Sequence, residues 1–178
     1  MKRILPLLLL LVLLAPEAAA TSVRPFSLHQ LFREADLIVL GKVTGEVSFW
    51  NGAHDTIYTD YTVAVESTRK GLSVDTVVVR LMGGTVGPTT LSVAGNAIFA
   101  VGERVLLVLR NQGDFHTLVG MSQGKWSVWR SDGIDVVRRG PPSTLSGTIS
   151  QPSGKPLSEL LEQLQPPPNT TREGEVVP

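Results

Sequence analysis

The residue types in this chain that could carry chemistry are three histidines, three tryptophans and one glycine-rich stretch. Histidine is a common metal ligand and a general base near neutral pH. However, His29, His54 and His116 are scattered along the chain and form no motif with metal-ligand spacing. A Ser/His/Asp triad is defined by geometry and not by spacing, so a hydrolase remains a third-ranked interpretation. We therefore expect no catalytic residue, no metal and no cofactor.

The stretch Gly83-Gly84-Thr85-Val86-Gly87 is the second candidate for chemistry, because glycine-rich loops can hold phosphate groups. A phosphate loop needs a helix N-terminus directly behind it and usually a Gly-Lys-Ser/Thr sequence. Here Pro88 and a short predicted strand follow instead. The pattern favours a connecting loop of a β-domain, which could still contact a partner.

The tryptophans are the third candidate, as anchors for a partner. Trp126 and Trp129 lie three residues apart on a predicted strand, so their side chains point to opposite faces. We expect one in the core and the other nearer the surface, where it could anchor a protein or stack on a sugar. Trp50 precedes the turn signal Asn51-Gly52. The alternative is that these rings only cap the ends of a barrel.

The elements that must position these residues are mostly strands. Alternation of period two, or a continuous apolar run, predicts strands from Leu37 and at 56–68, 76–81, 89–93, 104–110, 115–121, 125–129 and 134–137. The strands at 115–121 and 125–129 are expected to pair as a hairpin. The run 104–110 is typical of a strand buried on both faces, and Gly41 and Gly45 indicate bulges in the first strand.

Two short helices accompany the predicted strands. Ser27 and Gln30 form a capping box that starts a helix ending near Ala35. A second amphipathic helix is expected at 157–164, with Pro156 at its first turn. Many short strands with turn signals between them predict a mainly β fold, a small OB-like β-barrel, with a β-sandwich as the second choice.

The two ends of the sequence differ in character from the predicted barrel. Lys2 and Arg3, the apolar run 4–14 and Ala18-Ala19-Ala20 have the layout of a signal peptide. We predict a signal peptide at 1–20, a barrel domain at 21–139, and a Pro-rich linker, short helix and disordered tail at 140–178. The mature chain, from Thr21, would be exported to the periplasm or medium, with no membrane span.

Composition excludes several function classes. Sixteen basic and sixteen acidic residues give a net charge of zero, so the chain lacks the positive footprint of a nucleic-acid binder. It contains no cysteine, which excludes disulfides, thiolate zinc sites and thiol catalysis.

Three segments carry a resemblance to a known family: 27–43 with its helix-to-strand junction, 61–71 and 99–107. Together they resemble the netrin-like domain, whose best-known members are the tissue inhibitors of metalloproteinases. The stretch 97–109 with 119–125 is also similar to exported bacterial proteins of this general shape. The resemblance implies an OB-like barrel packed by helices. In those inhibitors an N-terminal cysteine presents its amine and carbonyl to a protease zinc, and the corresponding residues here would be Thr21, Ser22 and Val23.

The sequence therefore predicts an exported, non-enzymatic binding module that contacts a protein partner, with an exported metalloprotease as the candidate. The alternative is a barrel that binds carbohydrate or another cell-surface polymer, as the tryptophans and loops favour. The candidate contact residues are Thr21, Ser22, Val23, Trp50 and Trp129.

Overall fold

The computed structural model describes residues 25–139 and 154–164. Strands dominate these residues, and each of the two α-helices has seven residues. The elements in chain order are α1 (Leu28–Glu34), β1 (Leu37–Trp50), β2 (Ile57–Lys70), β3 (Thr76–Met82), β4 (Gly84–Val86), β5 (Thr89–Leu91), β6 (Arg104–Asn111), β7 (His116–Leu118), a 3₁₀ helix (Met121–Gly124), β8 (Lys125–Ser131), β9 (Ile134–Arg138), β10 (Lys155–Pro156) and α2 (Leu157–Gln163).

Five of the strands close into a barrel in the order β1-β2-β3-β7-β6, with β6 pairing back to β1. Every neighbouring pair is antiparallel except β3 and β7, which run parallel. A closed or nearly closed five-stranded barrel of this kind is the architecture of the OB-fold. The predicted small, mainly β barrel with two short helices is therefore confirmed. The β-sandwich alternative is wrong, because the β1–β6 pairing closes five consecutive strands of the sheet into a ring.

The first strand is long enough to belong to two parts of the barrel wall. Its first six residues pair with β6, while Ile38 to Trp50 pair with β2. A strand of 14 residues must bend to do this, and its register shifts between Leu40 and Gly41 and again between Val43 and Gly45. The predicted bulges at both glycines are confirmed.

Strand β6 lies between two hydrophobic cores. Its residues Val105 to Leu109 have no exposed surface. Val105, Leu107 and Leu109 face the barrel interior, while Leu106 and Val108 pack in a second cluster outside it. That outer cluster contains Leu31, Ile38, Trp126, Val137, Leu157, Leu160 and Leu164. The prediction of a strand buried on both faces is confirmed.

The predicted hairpin between 115–121 and 125–129 is wrong. Strand β7 spans only His116–Leu118, and it pairs with residues 109–111 of β6. Strand β8 pairs with residues 104–107 of the same strand. The two strands follow one another along a single edge of β6, and the 3₁₀ helix carries the chain between them. The alternation in the sequence predicts both strands but does not show the edge of β6 that they share.

The glycine-rich stretch is also more ordered than a loop. Gly84–Val86 pairs with Thr89–Leu91 in a two-stranded hairpin, and the side chains of Thr85 and Thr90 are 2.9 Å apart. Gly87 adopts a φ of 58° at the turn, a conformation that glycine reaches without strain. No helix follows it, in agreement with the prediction that this is not a phosphate loop.

Helix α2 packs against the outer core next to β10, although residues 140–153 lie outside the described residues. Leu157, Leu160 and Leu164 are buried in the outer core, and β10 pairs with β9. The predicted signal peptide at 1–20, most of the linker and the tail after residue 164 lie outside the described residues. No helix in the described ranges is long and apolar enough to cross a membrane.

The bend in β1 predicts an asymmetry between two substitutions. A Cβ added at Gly41 would overlap the carbonyl oxygen of Ala64 and lie 2.9 Å from Val63 Cγ1, whereas at Gly45 it would meet nothing within 4 Å. Because overpacking a rigid backbone contact costs about 1–3 kcal/mol, Gly41→Ala should lower the free energy of unfolding by that amount. Gly45→Ala is the matched control and should change it by less than about 1 kcal/mol. Urea denaturation of both variants measures the difference, and equal midpoints would contradict this account.

Candidate functional site

The register of the barrel strands aligns two rows of side chains on the outer face of the sheet. Val47 in β1 lies opposite Asp60 in β2, which lies opposite Arg80 in β3. In the next row Phe49 lies opposite Tyr58, which lies opposite Met82. Because alternate residues of a strand point to the same face, these six side chains share one surface, while neighbours such as Val79 face the interior.

This surface forms a cleft of about 550 Å³. The loop between β1 and β2 borders it on one side, and Phe115, just before β7, contributes from the loop that follows β6. Its volume lies within the usual range for ligand pockets, about 300–1,000 Å³. We call it the aromatic cleft; its lining residues are Phe49, Trp50, Asn51, Gly52, Tyr58, Arg80, Met82, Phe115 and Thr117.

An ion pair sits at the centre of the aromatic cleft. Arg80 Nε and Nη2 donate to the two carboxylate oxygens of Asp60, each at 2.7 Å. The guanidinium carbon also lies 4.9 Å from the ring centroid of Phe49 and 4.2 Å from that of Phe115. The hydrogen bonds that Arg80 donates to Asp60 raise the pKa of Arg80, so the guanidinium is permanently charged. Bidentate pairing and contacts with two rings hold this group in one orientation.

The loop of residues 51–56 is held in place by the side chain of Asn51. Its Oδ1 accepts from the backbone N–H groups of Asp55 at 3.0 Å and Thr56 at 3.2 Å, and its Nδ2 donates to Asp55 Oδ1 at 2.7 Å. The bond from Asn51 lowers the pKa of Asp55. The centroids of the Trp50 and His54 rings lie 6.2 Å apart across this loop. The loop therefore holds Trp50 at the rim of the cleft in a defined position.

Exposed apolar side chains extend the aromatic surface. Val47 is 65% exposed and Met82 is 45% exposed, and both lie in the two rows described above. Phe49, Trp50, Tyr58 and Phe115 are half-buried. An apolar surface that remains open on a folded domain is typical of a binding site.

The charges around the cleft disfavour a polyanion. Arg80 is the only cation among its lining residues, and Asp60 neutralises it. Asp114, in the loop between β6 and β7, adds an acidic group close enough to stabilise the positive charge of Arg80. The cleft is thus aromatic, hydrogen-bonding and nearly neutral.

The structure separates the two tryptophans that were predicted as partner contacts. Trp50 lines the aromatic cleft, but Trp129 does not. Trp129 is half-buried on β8, where a Cβ added at Gly154 would lie 2.8 Å from its ring. Trp126 is 3% exposed and belongs to the outer core, so the two rings do face opposite sides of the strand. Thr21, Ser22 and Val23 lie outside the described residues.

The histidines remain apart. His29 is exposed on α1, His54 is in the loop after β1, and His116 is at the start of β7. In the described parts of the chain, no three His, Asp or Glu side chains are close enough to hold a metal ion.

A G-x-S-x-G sequence at Gly120–Gly124 matches the pattern of a nucleophile elbow. The elements around it decide whether it forms one. Such an elbow joins a strand to a helix that supports an oxyanion hole, but here a 3₁₀ helix of four residues leads straight into β8. Gly124 is explained by packing, since a Cβ there would lie 2.5 Å from the Val119 carbonyl oxygen. Within the described ranges, no histidine hydrogen-bonds to Ser122. The motif therefore marks a place where the backbone at Gly124 packs closely against the backbone at Val119.

A buried polar cluster lies elsewhere, beside β8. Lys125 is 2% exposed, and its Nζ donates to Glu103 Oε1 and to the carbonyl oxygen of Ile98, both at 2.7 Å. Ser127 Oγ donates to the same carboxylate oxygen. Burial lowers the pKa of Lys125, and the neighbouring carboxylate partly opposes that shift. The side chains of Lys125 and Ser127 are therefore both held by the Glu103 carboxylate.

Sequence reasoning missed most of the aromatic cleft. Arg80 interrupts a valine-rich strand at an outward position, and Asp60 lies at an outward position of β2, so alternation could have placed both on the surface. No local signal connects either residue with Phe115, which reaches them only because β7 runs beside β3.

No protein-family model matches this sequence, and no curated protein matches it significantly. The interpretation of the cleft therefore rests on its own residues.

The buried cluster gives a test of stability. Lys125→Met would leave Glu103 buried without a counter-ion, which should cost about 3–5 kcal/mol of unfolding free energy. The double variant Lys125→Met/Glu103→Leu removes both charges and should recover most of that loss. Urea denaturation near pH 7 measures both variants. If Lys125→Met were as stable as the parent, the Lys125–Glu103 pair would not contribute to the free energy of unfolding as proposed.

Proposed function

We propose that this protein is a non-catalytic binding module that holds a neutral, extended carbohydrate in the aromatic cleft. The observation that carries the proposal is the Arg80–Asp60 pair, whose guanidinium contacts the rings of Phe49 and Phe115 in a cleft lined by Trp50. Sugars need this combination, because their C–H faces stack on aromatic rings while their hydroxyls require hydrogen-bonding groups.

The hydrogen-bonding capacity is concentrated where a sugar would lie. Asp60 occupies two of the five N–H groups of Arg80, so the remaining ones can donate to ligand hydroxyls. The Asp60 carboxylate has lone pairs that can accept from them. Because the pair is already fixed by its own bonds and by two rings, little conformational entropy is lost when a ligand binds.

The near-neutral charge of the cleft supports an uncharged ligand over a nucleic acid or an acidic polymer. Phosphate backbones are bound through several lysines and arginines, whereas Arg80 stands alone among the lining residues and is paired. OB-type barrels use this face and its adjoining loops for oligosaccharides as well as oligonucleotides. That analogy is only at the level of the fold. The predicted export would bring the module to cell-surface polysaccharides.

Binding can be tested with soluble neutral oligosaccharides: cello-, chito- and laminari-oligosaccharides titrated calorimetrically into the mature protein. We expect one of these series to bind, with affinity rising with chain length. Trp50→Ala should weaken binding about tenfold or more, which corresponds to about 1.4 kcal/mol, because it removes an aromatic anchor at the rim.

Trp129→Phe is the matched control, since Trp129 is half-buried outside the cleft, and it should leave binding unchanged. Arg80→Gln tests the central pair and should also weaken binding. Absence of binding to every series, or an equal loss in the Trp129 control, would refute carbohydrate binding through this cleft.

A protein partner is the second candidate, and the start of the described chain favours it. The Phe26 N–H donates to Gln123 Oε1 at 2.7 Å, and a Cβ at Gly120 would lie 3.1 Å from the Phe26 ring. The chain therefore reaches the barrel at a fixed point only a few residues after Thr21. Together with the netrin-like resemblance, this anchor supports a contact ridge at Thr21, Ser22 and Val23 that could present a free amine to the zinc of an exported metalloprotease.

The amine itself can be tested. If Thr21 ligates a protease zinc, the purified mature protein should slow an exported metalloprotease from the same organism. One alanine added before Thr21 should abolish the effect, because it displaces the amine. An extended protein that inhibits equally would rule out ligation by the amine.

A further inference from the structure

A second cleft, of about 370 Å³, lies where both helices meet the outer strands. It shares no lining residue with the aromatic cleft. We call it the basic cleft; its lining residues are Leu28, Trp126, Val137, Arg138, Arg139, Gly154, Lys155 and Leu160.

Three cationic residues line the basic cleft, and no carboxylate does. Arg138 lies opposite Ser127, on the other face of the sheet from Val137 and Trp126, so Arg139 and Lys155 supply the positive charge on the Trp126 side. Over residues 25–139 and 154–164, neither Arg138 nor Arg139 forms a salt bridge, although Arg80, Arg104 and Arg110 each pair with a carboxylate. Lys155 Nζ donates at 2.8 Å to Gln163 Oε1, which is neutral. The sequence between Arg139 and Gly154 contains no charged residue that could supply a counter-ion. Neither the described lining of this cleft nor the sequence at 140–153 therefore contains a carboxylate that would compensate its positive charge.

The acidic residues closest along the chain do not line this cleft. Glu159 and Glu162 are on α2, but that helix contributes only Leu160 to the lining. Glu159 Oε1 accepts from Gln163 Nε2 at 3.2 Å instead.

Apolar groups form the rest of the wall. The guanidinium carbon of Arg139 lies 4.7 Å from the centroid of the Trp126 ring, and Leu28, Val137 and Leu160 line the same cleft. Partial burial lowers the pKa of Arg139, which reflects the cost of removing its charge from water. An anion bound beside this group would reduce that cost.

We propose that the basic cleft binds an organic anion, a carboxylate or phosphate group attached to an aromatic or aliphatic body. The anionic group would contact Arg139 and Lys155, and the body would lie against Trp126 and Leu160. Guanidinium groups match carboxylate and phosphate oxygens in geometry as well as charge. The apolar wall adds affinity in proportion to the ligand surface that it removes from water, so a bare inorganic anion should bind less well.

The experiment uses the full mature protein and four small probes. Phenyl phosphate and benzoate carry both features of the proposed ligand, inorganic phosphate has the charge without the body, and benzyl alcohol has the ring without the charge. Binding is followed by the NMR shift of the Trp126 indole N–H, assigned with Trp126→Phe. We expect phenyl phosphate or benzoate to shift this signal with a dissociation constant in the millimolar range or tighter. Inorganic phosphate should bind at least several-fold more weakly, and binding should weaken with added salt.

The variant Arg139→Gln should weaken phenyl phosphate binding tenfold or more. Lys155→Gln provides an independent variant, on β10, that should also weaken it. The matched control is Arg130→Gln, because Arg130 is 70% exposed on β8, 3.9 Å from Asp135 and outside the cleft; it should leave binding unchanged. Circular dichroism confirms that each variant is folded.

Three results would overturn the proposal. The first is no shift of the Trp126 signal with either organic anion. The second is equal binding of benzyl alcohol, which would mean an apolar pocket without anion recognition. The third is an equal loss of affinity in Arg130→Gln, which would mean attraction to the general charge of the surface and no defined site.

Discussion

The burial of β6 on both faces is the constraint on which the rest of this structure depends. Its inward residues complete the barrel core and its outward residues, Leu106 and Val108, need a second cover. Without disulfides, that cover must come from apolar packing alone. Helix α1, strand β8 and helix α2 supply it, and so a five-stranded barrel becomes a layered domain. The basic cleft lies in this second layer, lined by side chains from these elements and from β9 and β10.

The charged residues have three different environments, and these explain their different roles. Lys125 and Glu103 are buried together, where the loss of either partner would leave an isolated charge. Arg104 bridges Glu66 and Asp135 at the surface, across strands that do not pair with one another. Arg80 is paired too, but two aromatic rings hold it beside an open cleft. Of these three salt bridges, the last is the one that lines a cleft with room for a ligand.

The two clefts differ in chemistry as well as in position. The aromatic cleft is built on the barrel wall from side chains of β1, β2, β3 and β7, and its one cation is neutralised. The basic cleft has two cations, Arg139 and Lys155, without carboxylate partners in its lining, against a buried tryptophan. A neutral sugar suits the first and an organic anion suits the second. The module would then recognise two chemical features at once, either on one ligand or on two.

The sequence alone determined the local elements, because capping, alternation and glycine bulges depend on neighbouring residues. The capping box at Ser27, the bend at Gly41 and the doubly buried β6 could all be predicted in this way. The site could be predicted only in part: Trp50 was identified beside its turn, but Arg80 and Phe115 were not connected with it. Only the tertiary structure placed β7 parallel to β3 and beside β8 on one edge of β6. Strand pairing is decided by contacts between distant residues, and local patterns carry no information about which edge a strand will meet.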